Sequence, residues 1–124
     1  MITVLCGIIY NTTGEVFLAR RREGKSHAGK WEFPGGKLEA EESEAACLQR
    51  ELLEELGMEV EVQERLGENI HAYLEVQIRL IAYRCSFIQA TYVLTDHDEF
   101  AWVKPEEIMQ YDLAEADVPL LQFL

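Results

Sequence analysis

Paired cysteines, long apolar runs and a surplus of basic residues are all missing from this 124-residue chain. Its three cysteines, Cys6, Cys47 and Cys85, form no C-x-x-C pair and no even framework. That argues against a disulfide scaffold and for reduced thiols in an intracellular, cytoplasmic protein. No apolar stretch approaches the roughly 18 residues that a membrane helix needs, so no membrane association is expected. Met1–Tyr10 lacks a basic leader and a small-residue cleavage site, and reads as a strand instead of a signal peptide. Eleven Lys and Arg against 23 Asp and Glu leave a formal charge of −12, which disfavours a nucleic-acid duplex as partner because phosphate contacts need basic surface. What is present is ordinary for a globular protein, 48% hydrophobic and 27% charged, in a length that suits one domain over residues 1–124.

The charges are sorted along the chain. Six of the eleven basic residues fall between Arg20 and Lys37, and nine glutamates follow between Glu39 and Glu61 with Arg50 alone among them. A charge run is usually a solvated surface, but a basic segment abutting an acidic one also suits a place where metal ions and phosphates meet. Ile2–Tyr10 reads as an apolar strand, with Val16–Arg21 as its partner across a turn at Asn11–Gly14. Glu23–Lys30 reads as a loop, and Trp31–Phe33 as a short extended piece stopped by Pro34-Gly35-Gly36. Met58–Val62 alternates as a half-buried strand, His71–Leu74 and Val76–Ala82 suggest a hairpin, and Glu99–Val103 is a further strand. Helices are expected from Pro105 and over Pro119–Leu124. Strands and helices mix without a regular βαβ rhythm, which makes the fold class α+β, a mixed β-sheet sandwiched between helices.

The strongest helix covers Ser43–Leu56. Serine and acidic residues open it, Gly57 closes it, and Ala45, Leu48, Leu52 and Leu56 form its apolar stripe. Glu51, Glu54 and Glu55 lie three and four residues apart, so one face carries all three carboxylates. Like charges so placed destabilise a helix unless a cation sits among them. Clustered hard oxygen ligands suit magnesium, which keeps several waters and takes a few carboxylates together with substrate phosphates. Arg50 projects beside the cluster, where it can orient a carboxylate. Gly35-Gly36 allows backbone to approach a metal or phosphate where a side chain would block it.

The whole string from Gly36 to Met58 fits G-x5-E-x7-R-E-U-x-E-E-x-G-U, with U apolar, at every fixed position. This is the Nudix box, and the chain resembles the Nudix hydrolases of the MutT type. Gly7-Ile8-Ile9, Leu18-Ala19-Arg20-Arg21 and Trp31–Lys37 continue the resemblance, which runs nearly end to end. Tyr111–Leu121 resembles the close of the small bacterial members, especially those that hydrolyse CTP and dCTP.

The resemblance implies the Nudix fold and hydrolysis of a nucleoside triphosphate to the monophosphate and pyrophosphate. Water attacks the β-phosphorus with magnesium, or manganese in its place, as cofactor. It assigns Glu51, Glu54 and Glu55 to metal binding and catalysis, with Arg50 beside them and the Gly36 carbonyl as a further ligand. A loop acid is expected six residues before a tryptophan, which is Asp96 before Trp102; Asp98 and Glu99 remain alternatives, as does a merely solvated acid. Whether Glu51 or the loop acid is the general base stays open. Arg21 corresponds to a phosphate- or base-contacting arginine, unless it is simply a surface residue. Phe33 either lines the base pocket or packs beneath the helix. Asp117 falls where MutT reads its base with asparagine, or else caps the last helix. An ionised carboxylate accepts but does not donate, so it suits a base edge with a donor, such as the amine of cytosine or the protonated N7 of 8-oxoguanine. The expected substrate is therefore (d)CTP or a damaged dNTP, with 8-oxo-dGTP, then ADP-ribose or a nucleotide sugar, as alternatives. A non-catalytic nucleotide-binding domain is the alternative from another class. The partner is a small nucleotide, and the protein a monomer or homodimer. His27, His71, His97 and Cys47 receive no role.

Overall fold

Strict alternation of apolar side chains on the inner strands gives this molecule two cores, one on each face of a single sheet. The computed structural model describes residues 1–124. Seven strands, β1 (Ile2–Tyr10), β2 (Val16–Arg21), β3 (Trp31–Glu32), β4 (Gly35–Lys37), β5 (Met58–Tyr73), β6 (Val76–Ala90) and β7 (His97–Val103), surround one α-helix, α1 (Glu44–Leu56). The central order is β3-β2-β1-β6-β5, with β4 paired to β1 and β7 to β2. β1 and β6 run parallel in register from Ile2 opposite Ile78 to Tyr10 opposite Ser86, and the other pairs are antiparallel. The result is the mixed-sheet α+β architecture read from the sequence. No helix is long and apolar enough to cross a membrane.

Successive strand residues point to opposite faces. Leu5, Ile9, Phe17, Ala19, Ile81 and Cys85 therefore meet Leu48, Leu52 and Leu56 of α1. Cys6, Ile8, Val16, Leu18, Leu80 and Ala82 face the other way, onto Ile108, Leu113 and Leu120. Each leucine fully withdrawn from water on either side stabilises by about 1.5–3 kcal/mol. The second layer is made of two 3-10 turns, Pro105–Gln110 and Val118–Phe123, where helices were expected. The first opens with Pro105 and the second has Pro119 as its second residue, and each runs only six residues, too short for a settled α-helix.

The helix α1 has the ends its sequence specifies. Ser43 Oγ accepts the Ala46 N–H at 3.1 Å, and Gly57 takes the left-handed conformation with φ 63°. Its buried residues are Cys47, Leu48, Leu52 and Leu56. Cys47 thus takes the place expected of Ala45, which is only half-buried, because the first turn faces the backbone of β4. A greater departure is β5. The short strand expected at Met58–Val62 continues for 16 residues to Tyr73, with register shifts at Glu59/Val60, Val62/Arg65 and Arg65/Gly67. Those irregularities break the alternation that marks a strand in sequence.

Two backbone approaches set the site. Gly35 lies so close to β1 that a Cβ built on it would stand 1.8 Å from the Leu5 carbonyl oxygen. A Cβ on Gly36 would stand 2.3 Å from the Glu51 carboxyl group. Gly35 is therefore required by space, Gly36 lets Glu51 keep its present rotamer, and β4 brings the carboxylate face of α1 against the sheet.

Candidate active site

Charge compensation within α1 is carried by one arginine. Arg50 grips Glu42 with both ends of its guanidinium, Nε at 2.6 Å and Nη2 at 2.9 Å. Its Nη1 reaches Glu51 at 2.9 Å and Glu54 at 3.2 Å. The bidentate grip is the stronger sort of charge-assisted bond, and it holds the Glu42 carboxyl down at about 2. Arg50 thus holds the Glu51 side chain in its present orientation.

Glu55 lies on the other side of Glu51. Burial, then the nearby charges of Asp96 and Glu51, hold its carboxyl far above the usual range, so without a cation it keeps a proton among these acids. Asp96 is itself half-buried, which would raise it. Hydrogen bonds from Lys25, 3.0 Å away, and with Glu55 outweigh that and lower it. As they stand, no three acidic, histidine or cysteine side chains enclose a single cation. Glu54, 60% exposed, turns to Arg50 and away from Glu55. The donor set still fits a hard divalent ion. Its members are oxygens, it holds an excess of negative charge, and a cation in place of the Glu55 proton would relieve the mutual repulsion that raises it. Of the alternative loop acids, Asp98 and Glu99 are drawn off by Arg20 at 2.8 and 3.1 Å. Asp96 is the one brought to the helix.

Glu51, Glu55 and Gly36 line one end of a cavity of about 470 Å³. Arg21 and Lys37 also face it, as phosphate-binding cations would. The far end is walled by Phe33, Tyr73, His27 and Asp117. Tyr73 is flanked by the rings of His27 and His71, with centroids 4.6 and 4.4 Å away. Asp117 is drawn in by the chain around it: Trp31 donates to Asp112 O, and Ala114 donates back to Trp31 O, both at 2.9 Å. Asp117 Oδ2 then accepts the Phe33 N–H at 2.8 Å.

Asp117 is buried and makes no side-chain cap to the turn that follows it, so the cap expected as its alternative role does not form. Burial, with Glu32 nearby, pushes its carboxyl up to about 8. At neutral pH it is mostly the neutral acid and can donate as well as accept, which corrects the acceptor-only expectation. Phe33 both lines the cavity and packs in the core, but on the face opposite α1, among Val16, Leu18 and Leu120. Packing beneath the helix is thereby replaced. Arg21 is one-fifth exposed, held by Ser26 O at 3.2 Å and 3.8 Å from Glu32.

Several cavity residues were not picked out in the sequence. Lys37 and Glu32 fall within the recognised Trp31–Lys37 run, and Lys37 within the basic segment, yet neither was singled out as a site residue. Tyr73 and His27 meet only through the fold. His97 was passed over as a lone histidine, but it is fully buried and 2.8 Å from Glu32.

Comparison with known proteins shows the family. A model of the NUDIX domain family matches residues 5–123. The chain is 40% identical over 122 residues to a CTP pyrophosphohydrolase of Escherichia coli (strain K12), covering 98% of this chain and 90% of that protein. It is also 40% identical over 105 residues to a putative 8-oxo-dGTP diphosphatase 2 of Mycobacterium tuberculosis (strain H37Rv), covering 82% and 73%. Among solved structures, the E. coli ORF135 protein superposes with a TM-score of 0.86 at 40% identity, covering 99% of this chain and 87% of that one. A MutT protein from Methanosarcina mazei Go1 gives 0.85 at 30% identity, covering 98% and 88%.

Proposed function

The chain belongs to the Nudix family and is a nucleoside triphosphate pyrophosphohydrolase, and we propose that its substrate is dCTP or CTP, cleaved to the monophosphate and pyrophosphate with magnesium. The observation that carries this reading is continuity. A single cavity joins the carboxylates of α1 to a buried, base-sized recess holding Asp117. A triphosphate and its base can then occupy one site.

Glu51, Glu55, Asp96 and the Gly36 carbonyl would hold the ion, with Glu54 completing the set from beside Arg50. A bound divalent cation supplies neutralisation of phosphate charge and lowers the pKa of a coordinated water. Oxygen ligands favour magnesium, with manganese as its substitute. The chain's own residues do the rest. Arg50 holds the Glu51 carboxylate in place beside Gly36. Lys25 keeps Asp96 ionised. A carboxylate of the Glu51–Glu55–Asp96 group takes the proton of the attacking water, and Arg21 and Lys37 face the phosphate oxygens. Phe33 shapes the floor under the base and presents its N–H to Asp117. In its neutral form Asp117 offers an acceptor and a donor side by side, which matches the amine and ring N3 of cytosine. On this reading residues 1–124 form a single catalytic domain, a monomer or homodimer working on free nucleotides of the cytoplasm, away from duplexes and membranes.

A second reading, 8-oxo-dGTP, is favoured by the same neutral Asp117, since N7–H and O6 of 8-oxoguanine also present a donor beside an acceptor. Steady-state comparison of dCTP, CTP, 5-methyl-dCTP and 8-oxo-dGTP with magnesium separates the two. We expect the highest kcat/KM for a cytidine nucleotide. Preference for 8-oxo-dGTP would install the second reading, and release of a ribose phosphate without pyrophosphate from a nucleotide sugar would overturn both.

A further inference from the structure

Glu32 and His97 are held to one another across β2. Glu32 lies in β3 opposite Ala19, and His97 begins β7 opposite Arg21, just past a register shift at Arg20/Arg21. The His97 side chain has no exposure, and its Nε2 stands 2.8 Å from Glu32 Oε2. The ring Nε2–H donates to that carboxylate, while Nδ1 is buried with no partner at all. Burying an imidazole with an unpaired nitrogen is costly, so the bond that remains has a purpose beyond filling space. His97 does not line the cavity, whereas Glu32 does. The ring therefore reaches substrate only through Glu32.

The second polar contact on Glu32 Oε2 is Arg21 Nη1 at 3.8 Å, and Oε1 has no partner within the chain. A carboxylate fixed by one oxygen and free at the other is an acceptor aimed at what fills the recess. An ionised carboxylate accepts only, so a base carbonyl placed there leaves two acceptors face to face, whereas an amine is satisfied.

We propose that His97 is a positioning residue that fixes Glu32 on the wall of the base recess, where Glu32 selects nucleobases carrying an exocyclic amine over those carrying a carbonyl. This rests on the nucleotide assignment of the cavity given above, but it adds a second specificity residue beside Asp117 and a support that touches no substrate.

The test reads binding without turnover: calorimetric affinities for dCMP and dUMP in metal-free buffer, for the parent and for His97→Leu, His97→Gln and Glu32→Gln. The parent should bind dCMP at least about tenfold more tightly than dUMP, as a site built to hydrogen-bond a substrate N–H discriminates. Glu32→Gln, whose amide can donate to a carbonyl, should erase most of that ratio. His97→Leu should erase it too, and His97→Gln, which keeps a donor near Oε2, should restore it in large part. With triphosphates and magnesium the same loss should appear in KM and not in kcat, while Mn2+ affinity stays at the parent's value, which separates this role from any disturbance of neighbouring Asp96. A parent that binds both monophosphates equally overturns the proposal. So does a ratio unchanged in Glu32→Gln, which is also the deciding variant if His97→Leu fails to fold. A protein that discriminates as described yet hydrolyses no nucleoside triphosphate would leave this inference standing and sink the catalytic reading instead.

Discussion

Arg50 and Asp117 show how much one residue's surroundings decide. Four carboxylates crowd together, Glu42 just before α1 and Glu51, Glu54 and Glu55 in its last turns, and a single guanidinium bonded to Glu42, Glu51 and Glu54 holds three of them in place. Glu54 is the most exposed of these partners, so the proposed metal role can be tested there with little disturbance of the fold. Glu54→Gln should lower kcat by about 100-fold with thermal stability nearly unchanged. Parental turnover in that variant would remove Glu54 from the metal set. Asp117 behaves in the opposite way. Folded, it titrates near 8, against an ordinary 3.8, so between those values the native state holds the extra proton. Its contribution to stability is complete below the lower value and is lost as pH rises through the upper one, with a slope approaching about 1.4 kcal/mol per pH unit between them. Asp117→Asn should flatten this fall, shrinking the Tm difference between about pH 5 and pH 8.5. An unchanged difference would mean that Asp117 is not buried as an acid.

At the scale of elements, α1 is specified almost wholly by its own sequence. Cap, apolar stripe and terminal glycine lie within fifteen residues, and the placing of the carboxylates follows from helical spacing alone, so both the helix and where its glutamates lie were legible. Ser43→Ala should cost about 1 kcal/mol, read as a lower Tm, and leave kcat at the parental value. If activity falls in step with stability, the helix end is coupled to the site. What was not legible needed pairing across the sheet. Glu32 and His97 are 65 residues apart and meet only once β2 has aligned β3 and β7. The arrival of Asp96 at Glu55 depends on the same β7 pairing, and Lys25 reaches it from a loop that local sequence leaves undefined. The full run of β5 was hidden because its bulges spoil the period of two, and Phe33 faces the opposite core because strand parity, not its motif, decides which way it points.

The whole molecule is a sheet with two unlike covers, and the function uses the line where they meet. On one side α1 carries the carboxylates of Glu51, Glu54 and Glu55. Under the 3-10 turns the sheet presents an apolar recess closed by Asp117. The cavity connects them past Gly36. Nine of the 23 acidic residues lie between Glu39 and Glu61, around the helix, so a cation there would offset the repulsion of a substrate's phosphates, with Arg21 and Lys37 as basic side chains on the cavity wall. The most direct measurement follows dCTP by phosphorus NMR with purified protein, with and without magnesium. This account predicts dCMP and pyrophosphate in equal amounts, only when magnesium is present. Orthophosphate with dCDP, or cleavage that continues after the metal is chelated, would contradict it.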